Sequence, residues 1–235
     1  MAIHKPKQGF LILLSALFSV CNLWMIHAQV SIPAKFDGFV YKNSLPHADT
    51  IMIEAFFDPV CPDTRDSWPP LKRVVDHYGP RLSLVVHPFS LPYHDNAFVT
   101  SRALHIVNKL NASAVYDLLE QFFKHQEKFY NQQTIQMSRA SVVDQIVKFV
   151  TKVVGDDSLS AVASSFNDRS TDLATRVSFK YGCSRGVAGT PSFFVNGFTL
   201  PSAGSALDYN GWRSIIDPLI SAQHKSGNET SHFFL

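Results

Sequence analysis

The spacing of hydrophobic and polar residues changes twice along the chain, from a strand pattern to a helix pattern and back. Short runs of β-branched and aromatic residues predict strands around 39–41 and at Thr50–Phe57, Leu82–His87, Ser192–Asn196 and Phe198–Leu200. Apolar residues spaced three and four apart predict helices over 61–78, 97–110, 113–130, 141–154, 170–181 and 208–223. The predicted order is βαβ, a helical block and ββα, which is an α/β fold with an all-helical insertion.

The first strand–helix–strand unit predicts how the sheet is arranged. Gly79 and Pro80 end its helix, so the chain returns directly into the second strand. A crossover of this length predicts parallel strands with a right-handed connection. In the final helix, Pro218 predicts a kink or an early end, because proline removes a hydrogen bond from the helix interior.

The N-terminal residues predict a secretory signal peptide. Lys5 and Lys7 precede an apolar run that begins at Phe10, and Ala28 is a small residue suited to cleavage. The run is too short to span a bilayer, and no later segment approaches about 20 consecutive apolar residues, so we expect no membrane span after processing. The predicted regions are a signal peptide at 1–28, a single domain at 29–225 and a tail at 226–235, with the domain core at 50–95 and 186–223 and the helical insertion at 96–181.

Charge argues against nucleic acid as a partner. The full sequence has 21 basic and 19 acidic residues and a formal net charge of +2. Removal of the signal takes away Lys5 and Lys7, so the mature chain carries no net charge. Binding to phosphate backbones needs clustered, excess basic charge. We therefore expect protein or peptide partners, and the sequence leaves the oligomeric state open.

Two cysteines remain after processing, Cys61 and Cys183. A chain of this length does not need a disulfide framework to fold, so each cysteine calls for its own explanation. Two glycosylation sequons begin at Asn111 and Asn228, and both are predicted to be exposed. Because the C-terminus is not a retention tetrapeptide, the extracellular space and the lumen of the endoplasmic reticulum are both consistent with the sequence.

Cys61 lies where a strand gives way to a helix. The β-forming run breaks at Asp58 and Pro59, and Pro62 is suited to the first position of the helix that follows. A thiol at this position faces unpaired backbone N–H groups and the positive end of the helix dipole. Both favour the thiolate, so Cys61 is the predicted nucleophile.

Three motifs resemble the DsbA-like branch of the thioredoxin superfamily, in which a helical block interrupts the thioredoxin fold. They are the turn Phe56-Phe57-Asp58-Pro59-Val60-Cys61-Pro62-Asp63-Thr64, then Pro69, eight residues after the cysteine, and Gly186-Val187-Ala188-Gly189-Thr190-Pro191-Ser192-Phe193-Phe194-Val195-Asn196-Gly197. The resemblance implies a thioredoxin-like fold over nearly the whole mature chain. It also implies that Thr190 and a cis Pro191 lie beside Cys61 and help to hold an extended substrate.

The sequence departs from this family at the residue that would resolve a mixed disulfide. Dithiol members carry Cys-x-x-Cys, whereas here Thr64 occupies the second position. Thr64 cannot be a disulfide partner, although its hydroxyl is able to donate a hydrogen bond to the Cys61 thiolate. Three chemistries stay open: Cys61 acts as a monothiol, Cys183 resolves or pairs with it, or the cysteine is a relic and the groove only binds.

The acid that assists proton transfer in this family is also missing from its usual position. Six residues before Cys61 the chain has Ala55, and Glu54 is expected to face the opposite side of the strand. Asp58 and Asp63 add negative charge near Cys61, which partly offsets the effect of the helix end on the thiolate. The basic side chains nearby, Arg65 and Arg185, are expected to be solvated.

No cofactor or metal is predicted, apart from glutathione as a co-substrate. His87, His94 and Asp95 lie close together in sequence, but their spacing matches no standard zinc signature. The leading prediction is a monothiol thiol–disulfide oxidoreductase or isomerase acting on protein thiols or extended peptides of the secretory pathway. The alternatives are a redox-silent binding or chaperone-like protein, and a glutathione-using transferase, because kappa-type transferases share the inserted helical architecture.

Overall fold

The computed structural model describes residues 32–43, 50–201 and 205–231, and the predicted signal peptide lies outside them. The chain forms two compact units, Met1–Phe36 and Asp37–Leu235. In the first unit, the described residues 32–36 are exposed and form neither helix nor strand. In the second unit, five strands and eight α-helices are described, together with several short 3₁₀ turns.

A five-stranded mixed sheet forms the centre of the second unit. The strands are β1 (Phe39–Val40), β2 (Ile51–Phe57), β3 (Leu82–Pro88), β4 (Ser192–Val195) and β5 (Phe198–Thr199), arranged in the order β1-β3-β2-β4-β5. The central pair β2 and β3 is parallel, as the βαβ pattern predicted, and the other neighbours are antiparallel. Every residue of β3 is buried, which is typical of a strand covered on both faces.

Helices cover the sheet and form the block between β3 and β4. They are α1 (Pro62–Tyr78), α2 (Ala97–Leu110), α3 (Val115–His125), α4 (Asn131–Thr134), α5 (Arg139–Val154), α6 (Leu159–Ser165), α7 (Arg169–Ser184) and α8 (Tyr209–Ser231). The fold is therefore thioredoxin-like with an inserted helical block, which confirms the predicted fold class. None of the helices in the described part of the chain is long and apolar enough to cross a membrane.

The structure corrects two of the predicted helices and adds one. The helix predicted over 113–130 ends at His125, where a 3₁₀ turn at Gln126–Phe129 follows, and the short helix α4 begins after the predicted range. Helix α6 was not predicted, because its seven residues are too few for a clear period. The last helix does not end at Pro218 but continues to Ser231. A proline inside a helix costs about 3 kcal/mol, and the complete burial of Trp212 and Ile216 beside it offsets that cost.

Strand β2 divides its side chains between two hydrophobic clusters. Ile53, Ala55 and Phe57 enter the main core, which α1 and the inserted helices complete. Phe56 points to the other face and enters a smaller cluster, the site cluster, made of Phe56, Cys61, Phe89, Leu91, Val187 and Phe194. Two residues of α7, Phe179 and Tyr181, pack against it. Cys61 therefore belongs to the side of the sheet that α7 covers.

Candidate active site

Cys61 is the residue immediately before α1. Its backbone is extended, with φ −85° and ψ 122°, and Pro62 occupies the first turn of the helix. The Cys61 N–H donates to the carbonyl of Asp58 at 3.1 Å, and the Cys61 carbonyl accepts from the N–H of Arg65 at 3.1 Å. The residue keeps only 4% of its surface exposed. The sulfur thus lies at the positive end of a 17-residue helix and belongs to an almost fully buried residue.

The sulfur contacts the loop that precedes β4. The Cys61 thiol donates to the carbonyl oxygen of Thr190, with 3.4 Å between the two atoms, although the residues are 129 positions apart in the sequence. The peptide bond between Thr190 and Pro191 is cis. The loop is closed by a hydrogen bond from the Ser192 hydroxyl to the carbonyl of Gly189 at 2.6 Å. The structure therefore brings together Cys61, Thr190 and Pro191.

Thr64 lies one turn into α1, at the position of the missing second cysteine. It is fully buried, and its hydroxyl has no hydrogen-bond partner. The hydrogen bond that the Thr64 hydroxyl was predicted to donate to Cys61 is therefore not formed, and the one hydrogen bond described for the sulfur is the one it donates to the carbonyl of Thr190. The hydroxyl of Thr190 is likewise buried without a partner.

The two cysteines are free thiols in different environments. Cys61 is buried and Cys183, in the last turn of α7, is exposed. No disulfide joins them in the described part of the chain. The loop after α7 nevertheless reaches the site, since Val187 belongs to the site cluster.

Asp58 organises the turn before Cys61. Its carboxylate is fully buried and accepts from the N–H of Val60 at 2.9 Å, from the N–H of Leu91 at 3.0 Å and from Nδ1 of His94 at 2.9 Å. From the sequence, Asp58 was predicted only to help break the β-forming run and to add negative charge near Cys61. The spacing of Asp58 and Val60 is that of an Asx turn, which is the signal that would have identified its role.

Glu54 faces away from the main core, as the alternation of β2 predicted, and lies in a buried polar network. Its carboxylate accepts from Tyr181 at 2.8 Å and from Arg185 at 3.1 and 3.3 Å, and Nε2 of His87 is 3.6 Å away. Burial on its own raises the pKa of Glu54, but His87, Tyr181 and Arg185 outweigh it and lower the pKa from 4.5 to about 2. The expectation that Arg185 is solvated was wrong, because it pairs with a buried carboxylate.

The histidines of the site are held by carboxylates. Nδ1 of His87 is 2.9 Å from Asp37. Although burial opposes it, Asp37 and Glu54 raise the pKa of His87, which favours the charged ring. His94 is bound to Asp58, whereas Asp95 is exposed. Across the described residues, no group of three or more acidic, histidine or cysteine side chains is arranged to hold a metal.

The remaining predicted site residues are the glycosylation sequons. Asn111 is exposed at the end of α2, and the hydroxyl of Ser113 donates to its side-chain oxygen at 2.7 Å. Asn228 lies in α8.

A cavity of 340 Å³ opens next to the turn that carries Cys61. Its walls come from that turn, from the loop after β3 and from the inserted block, and its lining residues are Val60, Pro62, His94, Phe129, Tyr130, Asn131 and Gln132. The inserted block is tied to the turn by Gln126, which donates from Nε2 to the carbonyls of Pro59 at 3.2 Å and Cys61 at 3.1 Å. Sequence reasoning missed this contact, because it joins segments more than 60 residues apart.

Comparison with known proteins agrees with the thioredoxin-like fold. The family model described as thioredoxin matches residues 46–218. A candidate protein-disulfide isomerase from Pseudomonas syringae shares 18% identity, with a TM-score of 0.63 over 77% of this chain and 98% of that one. The thiol-disulfide exchange protein alpha-DsbA2 from Wolbachia pipientis shares 17% identity, with a TM-score of 0.57 over 77% and 87%. DsbA2 from Pseudomonas aeruginosa shares 18% identity, with a TM-score of 0.55 over 80% and 97%. No curated protein matches the sequence.

Proposed function

Because this chain belongs to the thioredoxin family, we propose that it is a thiol–disulfide oxidoreductase or isomerase that acts through Cys61 as a monothiol. The observation that carries the proposal is the 3.4 Å contact between the Cys61 sulfur and the carbonyl of Thr190. It puts the thiol at the helix end against the loop that precedes β4, which the resemblance implies helps to hold an extended substrate.

The reaction follows from the single sulfur. The Cys61 thiolate attacks one sulfur of a client disulfide, the client S–S bond breaks, and the other client sulfur leaves as a thiolate. Cys61 is then joined to the client in a mixed disulfide. Thr64 has no sulfur with which to release the client, so a second thiol must attack this bond. This second thiol comes either from the client itself, in which case the reaction is an isomerisation, or from glutathione as a co-substrate.

Trapping of mixed disulfides tests this proposal. The wild-type protein is incubated with a client protein that contains scrambled disulfides, the reaction is quenched by alkylation, and adducts are separated without reduction. We expect covalent adducts from wild type and none from Cys61→Ser. The matched control, Cys183→Ser, removes the exposed thiol and is expected to retain the adducts. Adducts that persist in Cys61→Ser but disappear in Cys183→Ser would contradict the proposal.

A redox-silent binding protein that uses the same groove is the second candidate. The 4% exposure of Cys61 and the replacement of the second cysteine by Thr64 favour it, since thiolate chemistry needs access. In that case wild type forms no adducts, and Cys61→Ser binds the client with unchanged affinity. The same samples therefore decide between the two candidates.

We also propose that the protein enters the secretory pathway and is processed there. The proposal is supported by the predicted signal at 1–28 and by the exposure of Asn111. Expression of the full chain in a eukaryotic secretory host is expected to give a mature protein that lacks residues 1–28. Intact mass spectrometry is expected to show an attached glycan, and the glycan mass is expected to be smaller in Asn111→Gln. An unprocessed chain retained inside the cell would overturn this proposal.

A further inference from the structure

An aspartate–histidine pair adjoins the nucleophile. Asp58 Oδ2 is 2.9 Å from Nδ1 of His94, and the same carboxylate holds the turn through the N–H groups of Val60 and Leu91. The carbonyl of Asp58 in turn accepts the N–H of Cys61. One buried residue therefore positions the cysteine and the imidazole together.

The contact with Asp58 determines which edge of the imidazole is available. An ionised carboxylate only accepts hydrogen bonds, so Nδ1 carries the proton and the lone pair of neutral His94 is on Nε2. No described residue donates to or accepts from Nε2. The side chain is 22% exposed and lines the 340 Å³ cavity together with Val60 and Pro62, the two neighbours of Cys61. The cavity thus has an oriented imidazole in its wall, and two of its other lining residues are the sequence neighbours of Cys61.

The monothiol reaction needs a proton donor near the client sulfur that departs. When the client disulfide breaks, the departing sulfur carries a negative charge, and a poor leaving thiolate departs faster if it is protonated. Glu54 does not supply the proton, because His87, Tyr181 and Arg185 lower its pKa to about 2 and it carries no proton near neutral pH. The hydroxyl of Thr64 is a much weaker acid than an imidazolium. Of the titratable groups, Asp58 is bonded to His94, the Tyr93 ring lies with its centroid 4.9 Å from the imidazole, and Tyr130 lines the same cavity. Asp95 follows His94 in the chain and is exposed, and the charge of Arg65 acts on Tyr130.

We propose that His94, held by Asp58, is the proton-transfer residue of the Cys61 site; this inference rests on the proposed function. The Cys61 thiol gives up its hydrogen bond with the carbonyl of Thr190 and transfers its proton to Nε2 of His94, and the thiolate then attacks the client disulfide. The Cys61–client S–S bond forms while the client S–S bond breaks, with its electron pair on the departing sulfur. The imidazolium then protonates that sulfur. Cys61 is oxidised and the departing sulfur is reduced, so no other reactant is needed.

His94→Asn separates this role from a structural one. The amide nitrogen of asparagine takes the place of Nδ1 and keeps the hydrogen bond to Asp58, but nothing replaces Nε2. Two small disulfides are reacted with wild type and variant: bis(hydroxyethyl) disulfide, whose alkyl thiolate needs protonation, and dithiobis(nitrobenzoate), whose aromatic thiolate is stable without it. We expect the ratio of the alkyl rate to the aromatic rate to fall roughly 100-fold in the variant, the lower end for a positioned acid–base group.

The control is His77→Asn, because His77 is exposed on α1 and does not line the cavity; its rate ratio should equal that of wild type. An unchanged ratio in His94→Asn, whether both rates persist or fall together, would overturn the inference while Cys61 remains a proven nucleophile. A wild-type protein inert to both disulfides would instead remove the proposed function itself.

Discussion

At the scale of single residues, two buried carboxylates organise the surroundings of Cys61. Glu54 comes from the middle of β2 and Asp58 from the turn that follows the strand, and they serve different parts of the site. Asp58 holds the turn and His94, and Glu54 holds Arg185 at the start of the loop that leads to Thr190. Arg185 also donates to the carbonyl of Gly197 at 3.2 Å, beyond β4. Arg185, held by Glu54, therefore links the two ends of the segment that contains Thr190.

Glu54→Gln is expected to lower the free energy of unfolding by about 1–3 kcal/mol near neutral pH, because a charged acceptor of buried donors is lost. The folded pKa of Glu54 is about 2, below its ordinary 4.5, so its stabilising contribution is complete above pH 4.5 and is lost as the pH falls toward 2. The difference between wild type and variant, measured by urea unfolding, should shrink over this range. Glu127→Gln, an exposed residue, is the control, and a pH-independent difference would contradict the prediction.

At the scale of elements, the packing of α7 against the sheet depends on a glycine. Gly182 lies in the last turn of α7, where an added Cβ would come within 2.8 Å of Phe89 Cε2 and 3.3 Å of Phe56 Cδ1. Both rings belong to the site cluster with Cys61. The absence of a side chain lets the backbone of α7 pack directly against these two rings, so α7 helps to hold the site cluster in place.

Gly182→Ala should therefore destabilise the protein, although alanine is usually the better helix residue by about 1 kcal/mol. We expect a loss of roughly 1–3 kcal/mol, because the methyl group overpacks a filled cluster. Urea unfolding measures the change. Gly189→Ala is the matched control, since a Cβ there would have no neighbour within 4 Å. Equal or increased stability of Gly182→Ala would show that the rings yield and that the packing is loose.

At the scale of the whole second unit, the helical block is joined to the thioredoxin core at the active-site turn. Gln126 is fully buried and donates to the carbonyls of Pro59 and Cys61, while its own carbonyl accepts from the hydroxyl of Tyr130 at 2.8 Å. The indole of Trp68, in α1, donates to Glu120 in α3 at 3.1 Å. The inserted block thus contacts α1 and the turn before it, and forms a wall of the cavity beside Cys61.

Gln126→Ala is expected to cost about 1–3 kcal/mol of unfolding free energy, because buried carbonyls lose their donor. It should also alter the alkylation rate of Cys61, measured with iodoacetamide after the exposed thiol has been removed by Cys183→Ser. Gln133→Ala, an exposed glutamine of α4, is the control for both measurements. If stability falls but the alkylation rate is unchanged, the block supports the turn without influencing the sulfur.

Much of the fold was predictable because the signals are local. The β-forming runs and the apolar spacing located the strands and the long helices, and Pro62 placed Cys61 at a helix end. The replacement of the second cysteine by Thr64 likewise limits the chemistry whatever the fold does. The short helix α6 and the continuation of α8 through Pro218 were not predictable in this way, since packing against the rest of the chain outweighs a weak or contrary local preference.

The sequence by itself therefore determined the order of elements, the position of Cys61 at a helix end and the absence of a second cysteine three residues after it, since these depend on residues adjacent in the chain. Only the tertiary structure decided that the sulfur contacts Thr190, that Asp58 orients His94 and that Arg185 pairs with Glu54. These contacts join residues between 36 and 131 positions apart. Their physical cause is the packing of α7, the inserted block and the sheet around common clusters, and periodicity within any one segment carries no information about it.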